Sequence, residues 1–408
     1  MPVTHHQTGL VVTEHELRVP LDHADAAGEQ LTVFAREVAD PDGRDKPFLL
    51  FLQGGPGFEA DRPRRGPTSP GWLDRALQDF RVLMLDQRGT GRSSPVGAGA
   101  LAGLTPAQQA ARLTHFRADA IVRDAEALRE HLGGERWSVL GQSFGGFTAL
   151  AYLSQAPEGL REVLFTGGLP PLGRHPDEVY AATWARVLER SRRYYERYPE
   201  DRERFLAAVR AAPRLASGDV LSHARLRQLG NLLGAANGAE QVHDVLELPP
   251  DSPAFAHDAE AFAFARNPIY AILHESCYAD GHATRWSAQR TMPAAYGEDP
   301  ALLTGEHVFR WMFDELGALA PLREAAELLA EHPWPRLYDP TRLAANEVPA
   351  AAAIYSGDLF VERAFSEETA AAVRGLRPWV TSEYEHDGLR TDGERVLGRL
   401  LDLVRGRA

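Results

Sequence analysis

Three kinds of side chain stand in this sequence where they could act as one chemical unit. Ser143 lies in Gly141-Gln142-Ser143-Phe144-Gly145, between an apolar run Trp137 to Leu140 that reads as a short buried strand and a stretch Phe144 to Leu153 that reads as a helix. A serine on so tight a strand-to-helix turn presents its hydroxyl for attack, and glycines two residues to either side let backbone and helix approach each other. A serine hydroxyl is a weak nucleophile until a base takes its proton and an acid orients that base. His386, in Glu385-His386-Asp387-Gly388, is the candidate base. Asp358, in Ser356-Gly357-Asp358 at the end of the apolar run Ala350 to Tyr355, is the candidate acid. The chemistry is acyl transfer through a covalent serine intermediate. Asp387 and Asp392 are rival acids, but neither ends a strand, and Asp387 adjoins the histidine in sequence, which makes the required geometry awkward.

Such chemistry also needs donors for the oxyanion that forms on the attacked carbonyl. Gln53-Gly54-Gly55-Pro56-Gly57 directly follows the apolar run Phe48 to Leu52. The N–H after the nucleophile, on Phe144, is one candidate donor, and Gly55 is the second, with Gly54 next. Pro56 has no N–H and is excluded.

These groups must be gathered by a sheet, because an open α/β sheet collects its reactive residues at the carboxyl ends of its strands. Val11 to Val19 and Leu31 to Val38 alternate as exposed antiparallel strands do, and Asp40-Pro41-Asp42-Gly43 reads as a turn. Phe48 to Leu52 and Val82 to Leu85 are continuous apolar runs, as expected of strands covered on both faces. Ile121, Ala125, Leu128 and Leu132 share one face of a helix that Gly133-Gly134 ends. Val163 to Thr166 is the next strand, and strands return only at Ala350 to Tyr355 and Trp379 to Thr381. The stretch between is helix-like, with polar faces such as Glu189-Arg190-Ser191-Arg192-Arg193. The expected division is a catalytic α/β domain over residues 1–170 and 345–408 and an inserted helical cap over 171–344. The alternative is a helical layer packed on the sheet with no part in the site.

Composition narrows the class. With 44% hydrophobic and 25% charged residues and no apolar run near the roughly 18 residues of a membrane span, the chain reads as a soluble globular protein. Its start, Met1-Pro2-Val3-Thr4-His5-His6-Gln7, lacks the basic and apolar regions of a secretory signal, and the expected location is the cytoplasm. The single cysteine, Cys277, excludes an intramolecular disulfide. A net charge of −13 argues against a nucleic-acid partner and favours a cationic ligand such as a free amine. Asp86-Gln87-Arg88-Gly89-Thr90-Gly91-Arg92 is Gly-rich and basic but lacks the spacing and lysine of a phosphate loop, so it reads as a structural loop with Asp86 and Arg88 in buried ion pairs. His5-His6 reads as a mobile tail. No His/Asp/Glu cluster has metal-ligand spacing, and no metal or cofactor is expected.

Taken together, Gln53 to Gly57, Asp86 to Ser94 and Gly141 to Gly146 resemble the proline iminopeptidases, or prolyl aminopeptidases, of the α/β-hydrolase superfamily. Asn267 to Glu275, Gly305-Glu306-His307 with Trp311-Met312-Phe313, and Glu383 to Arg390 are similar to the larger bacterial subgroup, so the likeness runs through nearly the whole chain. Smaller members commonly carry His where Gln53 stands and Trp where Phe144 stands. The resemblance implies an α/β-hydrolase fold with a mostly parallel central sheet and an inserted α-helical cap. It implies release of an N-terminal proline from peptides through an acyl-enzyme on Ser143, without a metal. A protonated imino group calls for fixed carboxylates near the nucleophile, and in the family these are cap glutamates: Glu275 matches one, and Glu247, in Asp244-Val245-Leu246-Glu247, is the candidate for the other. Tyr278 and Phe264 are candidate walls for the pyrrolidine ring. An esterase or broader acyl hydrolase on the same fold is the alternative, and it would show no demand for a free amine.

Overall fold

The computed structural model describes residues 3–66, 71–260 and 264–407. Among these residues nine strands form one sheet: β1 (Val3–Gln7), β2 (Leu10–Pro20), β3 (Gln30–Ala39), β4 (Phe48–Leu52), β5 (Arg81–Asp86), β6 (Trp137–Gln142), β7 (Leu160–Thr166), β8 (Ala350–Tyr355) and β9 (Leu376–Thr381). The spatial order is β1-β2-β3-β5-β4-β6-β7-β8-β9. The first three pair antiparallel, and from β5 onward every pairing is parallel.

The apolar runs are continuous because both faces of the parallel strands are covered. In β4, Leu50 and Leu52 enter the core on one face and Leu49 and Phe51 the core on the other. In β8, Ala350, Ala352 and Ile354 face one way and Ala351, Ala353 and Tyr355 the other. Helices Ala118–His131 and Phe144–Gln155 cover the first face; Gly71–Asp79 and Gly393–Val404 cover the second. Alternation therefore survives in the geometry although it is invisible in the string of residue types.

Two edges differ from expectation. His5 and His6 are not a tail: they lie in β1, paired with Val12 and Val11. Every β1 position is exposed or half-exposed, so no burial pattern marks it as a strand. At the other edge β9 starts at Leu376 and contains Pro378, which an edge strand accommodates because its missing N–H leaves no ladder bond unmade.

Between β7 and β8 the regular elements among the described residues are helices, joined by loops that include an isolated Arg214–Val220 bridge. The 22-residue helix Pro176–Arg197 is the longest element of this insertion. Val187, Tyr194, Phe205, Leu226, Leu229 and Val242 form a core of its own, while Ile269, Leu273, Cys277 and Tyr278 join the core on the first sheet face. Among the described residues no helix is long and apolar enough to cross a membrane.

The Gly-rich loop after β5 ties these parts together. Arg88 is buried and donates to both Asp124 oxygens at 2.7 and 2.5 Å, and also to the Leu21 and His115 carbonyls at 2.8 and 2.7 Å. Asp86 accepts from the Arg92 N–H at 3.0 Å and faces Arg36 at 3.4 Å. Each guanidinium or carboxylate there is spent on the fold, which leaves none to bind phosphate.

Candidate active site

Ser143 stands between β6 and helix Phe144–Gln155 with φ 54° and ψ −124°, a backbone conformation that costs an L-residue about 1–3 kcal/mol. The surroundings enforce it. A Cβ on Gly145 would lie 1.9 Å from the Leu52 carbonyl oxygen, and one on Gly168 would lie 2.2 Å from that of Ser143. The Ser143 N–H is donated to the Thr166 carbonyl at 3.0 Å. Only glycines permit so close an approach of β4, β7 and the elbow, and the result is a serine hydroxyl held out from the turn.

His386 and Asp358 meet it there. The Ser143 hydroxyl is 2.9 Å from His386 Nε2, and His386 Nδ1 is 2.8 Å from Asp358 Oδ2. The other Asp358 oxygen accepts the N–H groups of Phe360 and Val361 at 2.8 and 3.1 Å, which fixes the carboxylate's orientation. The His386 N–H is donated to the Gly234 carbonyl at 3.1 Å, and the Phe360 ring packs edge-on to the imidazole at 4.9 Å. Burial pulls the His386 pKa down, but the charge and hydrogen bond of Asp358, with the charge of Glu306, outweigh it and the opposing Arg390, and the net shift is upward. The rival acids are committed elsewhere: both Asp387 oxygens accept from the Ala236 N–H at 3.2 Å, and Asp392 accepts from the Tyr384 hydroxyl at 2.7 Å.

Phe144 heads its helix, so its N–H has no intrahelical acceptor. Gly54 and Gly55 line the same cavity as Ser143 and His386, and among the described residues neither Phe144 nor Gly55 donates its N–H to a protein acceptor. The loop is held by Asn267, whose amide donates to the Gly57 carbonyl at 2.8 Å.

The cavity over the serine has a volume of about 660 Å³ and is walled by Phe58, Phe264, Tyr270 and Phe360. Phe264 stacks on Tyr270 at 5.4 Å, as a ring wall should. Tyr278 lies one layer behind the wall: its hydroxyl donates to the Phe360 carbonyl at 3.2 Å and its ring packs edge-on to Phe147 and Tyr180, both at 5.5 Å. Neither expected glutamate is among the lining residues. Glu247 is exposed at the end of helix Gly238–Glu247, whose apolar face uses Val242, Val245 and Leu246. Glu275 is buried and turns to accept the Ala288 N–H at 2.9 Å.

Of the carboxylates on the cavity wall, Glu260 is paired with Arg225 and Asp387 accepts the Ala236 N–H, while Glu306 accepts the Tyr270 hydroxyl at 2.6 Å through one oxygen. Its place is set by His307, which stacks on Trp184 at 3.8 Å and contacts the Thr183 hydroxyl at 3.2 Å, clamping the loop to helix Pro176–Arg197. The sequence carried a signal for it: Glu306 is a lone acid within the largely apolar stretch Ala301 to Met312.

Burial pushes the Glu275 carboxyl up to about 7, so near neutrality it is a poor fixed anion. The shift fixes a stability prediction. Its folded pKa lies above the ordinary value, so stability is full below about pH 4.3 and falls as pH rises through 7, by about 3 kcal/mol in all. Glu275→Gln keeps an acceptor for Ala288 and removes the ionisation. The variant should match the parent in Tm near pH 4 and exceed it at pH 8; parallel Tm-versus-pH curves would refute the assignment.

Elsewhere, Glu200, Asp201 and His243 place three possible metal-ligand atoms within 4.8 Å of one another. Asp201 there already accepts from Tyr194, His243 and Arg204, and the group lies outside the cavity.

A family model described as the alpha/beta hydrolase fold matches residues 47–242. A proline iminopeptidase of Aeromonas sobria is 47% identical, over 97% of this chain and 97% of its own. The proline iminopeptidase aneH of Aspergillus aculeatus is 34% identical, over 97% of this chain and 94% of its own. Among solved structures, a proline iminopeptidase-related protein of Thermus thermophilus matches with a TM-score of 0.41 at 18% identity, covering 96% of this chain and 99% of that one. On the identity and coverage of its full-length relatives, this chain belongs to the proline iminopeptidase family of α/β-hydrolases.

Proposed function

We propose that this protein is a serine aminopeptidase that releases an N-terminal proline from peptides through an acyl-enzyme on Ser143. The observation that carries the reading is the coexistence, in one cavity, of the Ser143–His386–Asp358 relay and the Glu306 carboxylate. The relay alone would serve any acyl hydrolase. A carboxylate on the cavity wall, one oxygen of which accepts the Tyr270 hydroxyl, suits a substrate with a protonated imino group beside the scissile carbonyl.

In the first half-reaction His386 Nε2 accepts the Ser143 proton as Oγ bonds to the prolyl carbonyl carbon. The carbonyl oxygen takes the negative charge and rests on the N–H groups of Phe144 and Gly55. Asp358 holds the imidazolium in place. His386 then gives its proton to the leaving nitrogen as the C–N bond breaks, and the prolyl ester of Ser143 remains. Water, deprotonated by His386, attacks that ester, and the proton returns to Ser143 as free proline leaves. The helices above the sheet act in this reading as a cap: through Phe264, Tyr270 and Glu306 they close the space behind the imino nitrogen, where a longer N-terminal extension would have to lie. A cytoplasmic setting is consistent with Cys277 being a free, buried thiol.

The test is turnover of an unblocked prolyl arylamide beside its N-acetylated form and a simple nitrophenyl ester. Turnover of the free amine without the acetylated form supports the aminopeptidase; turnover of the ester alone discards it in favour of an esterase. Glu306→Gln removes the charge and keeps an acceptor for Tyr270. It should lower kcat/KM for the prolyl arylamide about 10- to 100-fold, the worth of a charge-assisted hydrogen bond, and change ester hydrolysis far less. Equal losses on both substrates would assign Glu306 a structural role instead.

A further inference from the structure

We infer that Arg390 reads the free C-terminal carboxylate of short substrates, so that the cavity selects prolyl dipeptides over longer or C-terminally blocked peptides. The inference rests on the aminopeptidase reading above and adds the identity of the leaving half.

It follows from the partners of each charged group on the cavity wall. Six Asp, Glu, His and Arg side chains line it: Glu260, Arg266, Glu306, His386, Asp387 and Arg390. Glu260 accepts from Arg225 at 3.2 Å and from the Ser217 N–H at 3.0 Å. Arg266 is paired with Glu59. Asp387 accepts from Ala236, Glu306 from Tyr270, and His386 belongs to the relay. The Arg390 side chain has no acceptor among the described residues, although its own N–H, bound to the Asp387 carbonyl at 2.7 Å, fixes the turn that carries it. Arg390 is exposed, so a guanidinium on the cavity wall without a protein acceptor is available to an anionic ligand.

Its position gives the free charge a use. Arg390 lies one helical turn after His386, in Gly388–Thr391. His386 protonates the leaving nitrogen, so the wall around it faces the leaving residue, while Glu306 takes the imino end. In an extended chain one residue spans about 3.3–3.6 Å, so the carboxylate of a dipeptide falls within one residue of the scissile nitrogen. A longer peptide offers a neutral carbonyl at that point. Glu306 thus offers an anion to the amine and Arg390 a cation to a dipeptide's carboxylate, against the opposing charge of Asp387, which accepts only the Ala236 N–H, and a guanidinium fork matches a carboxylate in two hydrogen bonds.

The experiment compares kcat/KM for Pro-Ala with that for its C-terminal amide on the same enzyme preparation, so that any misfolded fraction cancels from the ratio. The parent should prefer the acid about tenfold, chiefly through KM, and the preference should shrink as salt is raised. Arg390→Gln should bring the ratio near one, Arg390→Lys should restore part of it, and Arg390→Glu should reverse it. A parent ratio of one, or a ratio unmoved by Arg390→Gln, overturns the inference and leaves the aminopeptidase reading intact. Failure to cleave either peptide while the nitrophenyl ester is turned over overturns both.

Discussion

Ser143→Ala is expected to lower kcat for a prolyl arylamide by roughly 10⁵- to 10⁶-fold, the largest effect of any single change in this chain. The hydroxyl is the atom that bonds to the substrate, and it lies 2.9 Å from the base that activates it. The residual rate would come from the Phe144 and Gly55 N–H groups and from binding alone. The fold should survive, because Ser143 makes its structural bond through its backbone, to the Thr166 carbonyl. Ser143→Gly separates chemistry from strain. It should be as inactive as the alanine variant, yet about 1 kcal/mol more stable than it, since glycine tolerates a φ of 54° that alanine does not. Thermal melting of the pair checks this. An alanine variant that kept about a tenth of the parent rate would show that another group forms the bond, and the elbow geometry would then have no catalytic meaning.

The contrast between Ser143 and Glu306 shows what was legible in the sequence. Ser143, Asp358 and His386 could be read because each follows a strand, and strands that are apolar on both faces announce their ends. The runs Phe48 to Leu52 and Ala350 to Tyr355 locate the loops after them to within a residue or two. The insertion has no such punctuation. Glu275 and Glu306 are both acids in apolar surroundings, and burial alone does not distinguish one that finds a structural partner from one that faces a cavity. The Ala288 N–H that takes up Glu275 comes from 13 positions later. The clamp that presents Glu306 comes from Thr183 and Trp184, more than a hundred positions earlier. Glu247 illustrates the converse: an acid at the end of an amphipathic helix is ordinarily on its wet face, and it is there. β1 was hidden for a different reason. A strand exposed along its whole length, held by backbone bonds to β2, leaves no mark in its side chains.

Asp358→Asn is expected to lower kcat by about 10⁴-fold with little change in fold, and the reason lies in which proton each oxygen controls. One Asp358 oxygen accepts from Phe360 and Val361, and the other accepts the proton on His386 Nδ1. An asparagine must keep its carbonyl oxygen toward the two backbone N–H groups, which have no alternative acceptor, so its NH₂ faces the histidine. Nδ1 then has to accept, the proton moves to Nε2, and the nitrogen beside Ser143 can no longer take the serine's proton. The pH profile carries a second signature. His386 must be neutral to act as base, and in the parent the Asp358 charge holds its pKa above the ordinary 6.5, so activity should fall as pH drops through a value above 6.5. In the variant burial remains while the counter-charge is gone, and the acid limb should move to lower pH. Asp387→Asn is the discriminating comparison. A 10⁴-fold loss there, with Asp358→Asn nearly as active as the parent, would transfer the orienting role to Asp387; that would require His386 to turn away from a 2.8 Å contact toward a carboxylate already bound to Ala236.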